Sequence, residues 1–414
     1  MNKKFIAGLV VILAIVGGIF AFNANKKTDS VKGKIKLSMD PEYKEWLEPL
    51  AKDFESKNSG SKIELIEVSQ DDQKTNLSNQ MTSNDPNTPD VMIQPYDRIG
   101  LFQGQGFIRE FNYQPADLDK YDSKVIENSL WQGKNYMAPL SVDSLVLYYN
   151  KEKLSEEKVP KNVDEVLALQ STVKDSDGKE VGLAVNASEA FFAKYFIDSP
   201  VFDNGDNPKV LNITNSTWKS GISKLGNYLS KAPASFSDEK EAAKITKKAF
   251  ADDKTSAAYI SGPWDLKSLK ETMGSKLGVA SVPGSTAFSG QKGLMLVNKP
   301  NATEEDKNLA QQFAKSLSTE GSKTLWDKKQ EVPAVKDART EAENKDPIAK
   351  TISSAFSQTT TMPKTKAMDY VWGGIKTSIT DVSKGANVDE TVNKAADAII
   401  TSAKQDKIEL TKAS

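Results

Sequence analysis

The chain has 414 residues, 38% of them hydrophobic, with 55 Lys and Arg against 56 Asp and Glu for a net charge of −1, and it contains no Cys and no His. That length exceeds one ordinary core and predicts two domains plus a tail, while the charge balance excludes the basic surface that a nucleic-acid partner demands. Without Cys or His there are no Ser–His or Cys–His nucleophile pairs, no thiolate redox chemistry and almost no route to a zinc site, so paired carboxylates are the one common acid–base device left.

The first feature in chain order is apolar. After Asn2, Lys3 and Lys4 comes FIAGLVVILAIVGGIFAF, from Phe5 to Phe22, an uncharged run of about 18 residues that would cover roughly 27 Å as a helix, close to a bilayer core. It is an export signal, a membrane anchor, or both. A signal cut wants small residues at the first and third positions before it, yet Ala21 is preceded at that spacing by Ile19, and Ala24 by Phe22. A lipid-accepting Cys is absent. The expectation is an uncleaved anchor, with cleavage near Ala21 to Lys26 as the alternative, and a polar tether from Asn23 to Lys34.

Past the tether, short apolar strands alternate with amphipathic helices. KIKLSM reads as a strand. EYKEWLEPLAKDFESK repeats apolar residues at Trp46, Leu50 and Phe54 and reads as a helix that Pro49 should kink. SKIELIEV and TPDVMIQ are the next strands, the second entered through a loop rich in Asn, Asp and Pro. Such alternation is an α/β pattern, in which ligands gather at the carboxyl ends of the strands, and IQPYDRIG sets Tyr96, Asp97 and Arg98 at such an end. Further on, SLVLYYN and SAAYISGPW are strand-like. Thr303 with Asp306 three residues later opens a helix, and Val392, Ala396, Ile399 and Ala403 define the inner face of a last helix near Val388 to Gln405. Trp46, Trp131, Trp218 and Trp326 are assigned to packing.

Four blocks carry a resemblance to a known family: TPDVMIQPYDRIGLFQGQGFIREF, YMAPLSVDSLVLYYNKEKL, YISGPWDL and TTMPKTKAMDYVWGGIKTSI. With them, the chain from about Lys34 to Ile408 resembles the maltose/maltodextrin-binding proteins of ABC importers, within the extracellular sugar-binding proteins. The resemblance implies that Asp97 and Arg98 hydrogen-bond glucosyl hydroxyls, that Asp143 is an acidic sugar ligand, and that Trp264 and Trp372 stack on sugar rings. It puts Phe191 where the family usually has Tyr, and Tyr43 near the first sugar-contacting turn. Two departures stand out: Gln94 where many members place a Trp, and Tyr96 at the adjacent His position. Taken without the resemblance, Asp97 and Arg98 would serve equally as a surface ion pair or a turn cap, Asp143 as a hinge hydrogen-bonding group, and Trp264 or Trp372 as core.

Chemically the set is coherent. A glucose unit has two apolar CH faces and a rim of vicinal hydroxyls, which call for flat rings to stack and planar charged groups to pair. The implied architecture is a two-lobed, periplasmic-binding-protein-like α/β fold with a hinge and an interlobe cleft: residues 1–33 as anchor and tether, 34–141 plus 293–332 as the first lobe, and 142–292 plus 333–414 as the second. The implied action is closure around ligand by a monomer, followed by delivery to ABC permease subunits. No GxxxxGK[ST] occurs, so ATP is hydrolysed by other subunits, and nothing calls for a cofactor or a metal. Two other classes stay open at this point: a glycosidase built on a carboxylate pair, and a membrane-anchored sugar sensor or glycan-binding module that feeds no permease.

Overall fold

The computed structural model describes residues 31–238, 240–282 and 284–413. The apolar run from Phe5 to Phe22 lies outside the described residues, and among those described no helix is long and apolar enough to cross a membrane.

Two sheets organise the chain. Their strands are β1 (Gly33–Met39), β2 (Ser61–Glu67), β3 (Val91–Pro95), β4 (Ile108–Arg109), β5 (Ala138–Asp143), β6 (Val146–Asn150), β7 (Leu183–Ala184), β8 (Ala258–Ser261), β9 (Leu277–Ala280), β10 (Gly290–Val297) and β11 (Val332–Pro333). The first sheet runs β11-β5-β10-β3-β1-β2 with β4 paired to the end of β10, and the second runs β9-β6-β8-β7. β1 pairs in parallel with β2 and β3, while β10 lies antiparallel to β3 and β5.

Strand periodicity explains why both faces of the first sheet are covered. Ile35, Leu37 and Met39 of β1, Val91 and Ile93 of β3, and Leu294 and Leu296 of β10 enter one core with Trp46 and Phe313. The intervening Met92, Met295 and Val297 enter a second and larger core, which continues through Val146, Leu147 and Tyr148 into the other sheet. The helix Lys44–Lys57 runs on through Pro49. Pro49 and Glu45 are both exposed, so water can take the Glu45 carbonyl that the missing proline N–H leaves free. The helix Glu304–Thr319 starts as expected, with Thr303 Oγ1 accepting the Asp306 N–H at 3.0 Å. Trp46, Trp131, Trp218 and Trp326 are all buried.

The chain passes from the first sheet to the second between β5 and β6 and returns between β9 and β10. It leaves the first sheet a last time after β11, toward the helices Pro347–Gln358, Met368–Ser383 and Val388–Gln405. At the crossings β5 is the shared strand: Asp143 faces Gly290 of β10, and Val142 faces Val332 of β11.

Candidate functional site

The cleft lies beside these crossings. Its main part, about 830 Å³, is lined by Asp40, Gln70, Asp71, Tyr96, Arg98, Asp143, Glu189, Phe191, Phe192, Trp264, Lys292 and Met362 among others. An adjoining recess of about 380 Å³ shares Asp71, Arg98, Glu189, Phe191 and Met362 with it and adds Lys74, Asp97, Asp369 and Trp372.

β3 ends at Pro95, and the chain turns at once into a single 3-10 turn, Tyr96–Arg98, which aims Asp97 and Arg98 off the sheet edge. Arg98 is held as a fork. Its Nη1 donates to the Gln70 carbonyl at 2.6 Å and to Gln94 Oε1 at 2.7 Å, and its Nη2 meets Asp71 Oδ1 at 2.5 Å. Gln94 thus has a reason to replace a Trp: fully buried, it orients the guanidinium and donates from Nε2 to Gln73 Oε1 at 2.9 Å. Burial raises the Asp97 carboxyl above its usual range, and the Arg98 charge opposes that shift.

Aromatic rings form the opposite wall. Trp264 sits in a 3-10 turn, Pro263–Asp265, just past β8. Asp265 fixes that turn by accepting from Tyr259 at 2.8 Å and Ser261 at 2.6 Å and by pairing with Lys247 at 2.9 Å. The indole lies against the backbone at Gly262, where any Cβ would overlap the ring. It is 40% exposed, the one large hydrophobic side chain among the described residues that is. Ring centroids then run from Trp264 to Phe191 at 6.1 Å, Phe191 to Phe288 at 6.4 Å, and Phe288 to Trp372 at 6.0 Å. Phe288 is buried, so the two tryptophans are joined by ring contacts through the core, and Trp264, Phe191 and Trp372 are the rings that face the cleft.

Asp143 closes the floor. It is 8% exposed, and burial pushes its carboxyl up to about 6 against the pull of the Lys292 ammonium. Glu189, which opens the short helix Ala190–Ala193, is also raised by burial, with Lys376 opposing.

Of the residues expected from the sequence, Asp97, Arg98, Asp143, Phe191, Trp264 and Trp372 line this one cleft system. Tyr96 borders it, but its ring is fully buried; the hydroxyl shares a 2.8 Å hydrogen bond with Ser289 and accepts the Met362 N–H at 2.5 Å. Tyr43 is buried behind the cleft, with its hydroxyl donating to Glu331 at 2.6 Å. Sequence reasoning missed Asp71, Glu189 and Lys292. Asp71 follows the carboxyl end of a strand, and Lys292 is a lone charge in an apolar one, QKGLMLV, so both carried a signal.

The sequence profile of a family described as bacterial extracellular solute-binding protein matches residues 49–351. The chain belongs to that family. It is therefore a solute-binding protein rather than an enzyme, and its α/β fold is that of the family's binding proteins. A maltooligosaccharide ABC transporter solute-binding lipoprotein from Streptococcus pneumoniae is 30% identical over 388 residues, 87% of each chain. The solved structure of MalX from Streptococcus pneumoniae in complex with maltopentaose superposes with a TM-score of 0.79 at 27% identity, covering 89% of this solute-binding protein and all of that chain. The maltose-binding MalE of Listeria monocytogenes in complex with maltose gives 0.75 at 26% identity, over 90% of this chain and 98% of that one. A galactooligosaccharide-binding protein from Bacillus subtilis is 26% identical over 325 residues, 75% of this chain and 76% of its own length.

Proposed function

We propose that this protein binds maltose and longer maltodextrins outside the cytoplasm and hands them to the permease of an ABC importer. One observation carries the reading: Trp264, Phe191 and Trp372 line the same cleft system as the Asp97–Arg98 turn and Asp143. The rings stack on the CH faces of glucosyl units, and the charged groups take the hydroxyl rim, each buried charge-assisted hydrogen bond contributing roughly 1.5–3 kcal/mol. The relatives described above, including the maltopentaose and maltose complexes, support the same ligand.

The cleft walls come from different parts of the chain, the Asp97–Arg98 turn from the first sheet and Trp264 and Trp372 from the second sheet and its helices. In this reading, residues 34–141 plus 293–332 and 142–292 plus 333–414 are lobes that rotate about the three crossings. Ligand favours the closed form because only that form lets both walls touch one sugar. Lys74 Nζ already meets Asp369 Oδ1 at 3.1 Å across the recess. The N-terminal apolar segment anchors the protein at the outer face of the cytoplasmic membrane, where it acts as a monomer.

Titration calorimetry of the full-length chain tests the ligand, with maltotriose, maltotetraose, a cyclodextrin and a galacto-oligosaccharide. Binding of the α-glucans near −8 kcal/mol, about micromolar, with no heat from the galacto-oligosaccharide is the expected result. Binding of the galacto-oligosaccharide alone would mean that the Gln94 and Tyr96 departures mark a different oligosaccharide.

A further inference from the structure

The three crossings between the sheets each contribute one charged side chain to the same place. Asp143 ends the first, Lys292 lies on the second, and Glu331 immediately precedes β11 on the third. Lys292 Nζ donates to Tyr43 Oη at 3.2 Å and to Glu331 Oε1 at 3.3 Å, and it lies over the Tyr43 ring at 5.4 Å. Strand register brings Asp143 onto the same side. Asp143 stands opposite Gly290 and Lys292 opposite Ser141, so Lys292 and Asp143 are diagonal neighbours on one face of an antiparallel pair, within reach of a long side chain. Gly290 makes room for this: a Cβ there would overlap the Asp143 carboxylate. Among the described residues no donor hydrogen-bonds to the Asp143 side chain, and the carboxylate borders the open cleft.

We infer that Lys292 is a positioning residue, held in place by Tyr43 and Glu331, that keeps Asp143 at the cleft floor as a charged acceptor for sugar hydroxyls. The inference rests on the sugar-binding reading for its purpose but not for its electrostatics. A carboxylate taken out of water needs a nearby cation or gives up its charge, and among the described residues Lys292 is the cation that acts on Asp143. Glu331 acts on Asp143 in the opposite sense, and Tyr96 and Tyr148 are the remaining titratable groups that sense its charge. Around Lys292, burial works against the ammonium, and Glu331, Tyr43, Asp143 and Glu42 outweigh it; Asp40 also senses the ammonium. Glu331 stays below the usual carboxylate range because Lys292 and the Tyr43 hydroxyl offset its burial. The ammonium's direct partners are thus Tyr43 and Glu331, while Asp143 feels its charge and keeps both oxygens for ligand. The arrangement also places the cleft acceptor and its cation on strands that belong to the hinge.

The test uses the full-length chain and two readouts. Carboxyl-carbon NMR of the sugar-free protein follows the titration of Asp143, assigned by its loss in Asp143→Asn. In Lys292→Gln the Asp143 midpoint should move upward by about one pH unit or more, and Lys292→Arg should return it toward the wild-type value. Maltotriose affinity is then measured from about pH 5.5 to about pH 9: for a one-unit movement the Lys292→Gln penalty should approach about 8-fold near pH 5.5, fall to about 2-fold near pH 7 and vanish at the alkaline end, where Asp143 ionises without help. The double variant Lys292→Gln/Glu331→Gln removes the buried charge that the single variant leaves behind; if the single variant folds poorly, the double variant should still show an upward movement, but a smaller one, because the opposing push of Glu331 is lost with it. An Asp143 midpoint that stays put, or an affinity loss equal at every pH, overturns the role of Lys292. A wild-type protein that binds no α-glucan overturns the ligand reading instead, and an Asp143 midpoint that still moves in Lys292→Gln then upholds the electrostatic pairing.

Discussion

Replacing Trp264 by Ala should weaken sugar binding by removing the exposed part of its ring. A tryptophan side chain buries about 150–250 Å² when fully covered, and 40% of Trp264 is exposed, so on the order of 100 Å² of apolar ring awaits a ligand. At about 25 cal/mol per Å², covering between half and all of that surface is worth roughly 1–2.5 kcal/mol. The dissociation constant for maltotriose should therefore rise about 10- to 60-fold in Trp264→Ala. The rest of the ring is already covered against the protein, so by the same coefficient sugar-free stability should fall as well, by roughly 2–4 kcal/mol. Urea unfolding gives the stability, and calorimetry at a temperature where both proteins are folded gives the affinity. Affinity within about 3-fold of wild type would show that the ring is no platform.

Three further outcomes follow from the same geometry. The folded-state pKa of Asp143 is pushed up to about 6 from the ordinary 3.8, so its ionisation disfavours the folded state, a cost that is absent at low pH and grows as pH rises from about 4 through about 6. Asp143→Asn should then stabilise the sugar-free protein by about 1–3 kcal/mol near pH 8 and by nothing near pH 3, and equal urea midpoints for the two proteins near pH 8 would contradict this. Gly290→Ala must drive the Asp143 carboxylate off its seat, costing about 1–3 kcal/mol of stability and at least about 10-fold in maltotriose affinity; Gly104→Ala, with nothing within 4 Å of the added methyl, is the control that should leave binding alone. Lys74 and Asp369 are each about a third exposed, so Lys74→Ala should weaken sugar binding by only about 0.2–1 kcal/mol, a loss that fades in high salt, and a larger, salt-independent loss would mean that Lys74 touches the sugar.

The architecture was legible because its signals are local and periodic. Ile35, Leu37 and Met39 alternate into one core, Thr303 caps its helix, and the Tyr96–Arg98 turn follows directly on a strand end. The parts of the site that could not be read depend on partners far apart in sequence. Tyr43 and Lys292 lie 249 positions apart, and Lys292 and Glu331 lie 39 apart; no local pattern announces that the turn after β1 and two of the crossings will place them together. In the sequence Tyr96 is an aromatic beside two charged residues at a strand end, yet its hydroxyl reaches Ser289, 193 positions on, and Met362, 266 on. A ring committed at both of those points is a tie between segments. Gln94 was conspicuous only as a missing Trp, and its purpose appears once Arg98 is seen to donate to it.

The decisive measurement is a crystal structure with maltotetraose. It should show glucosyl rings stacked on Trp264 and Trp372, with hydroxyls in hydrogen-bond contact with Asp97, Arg98 and Asp143. A sugar bound elsewhere on the protein, or a cleft that stays empty at saturating maltotetraose, would contradict the proposed site.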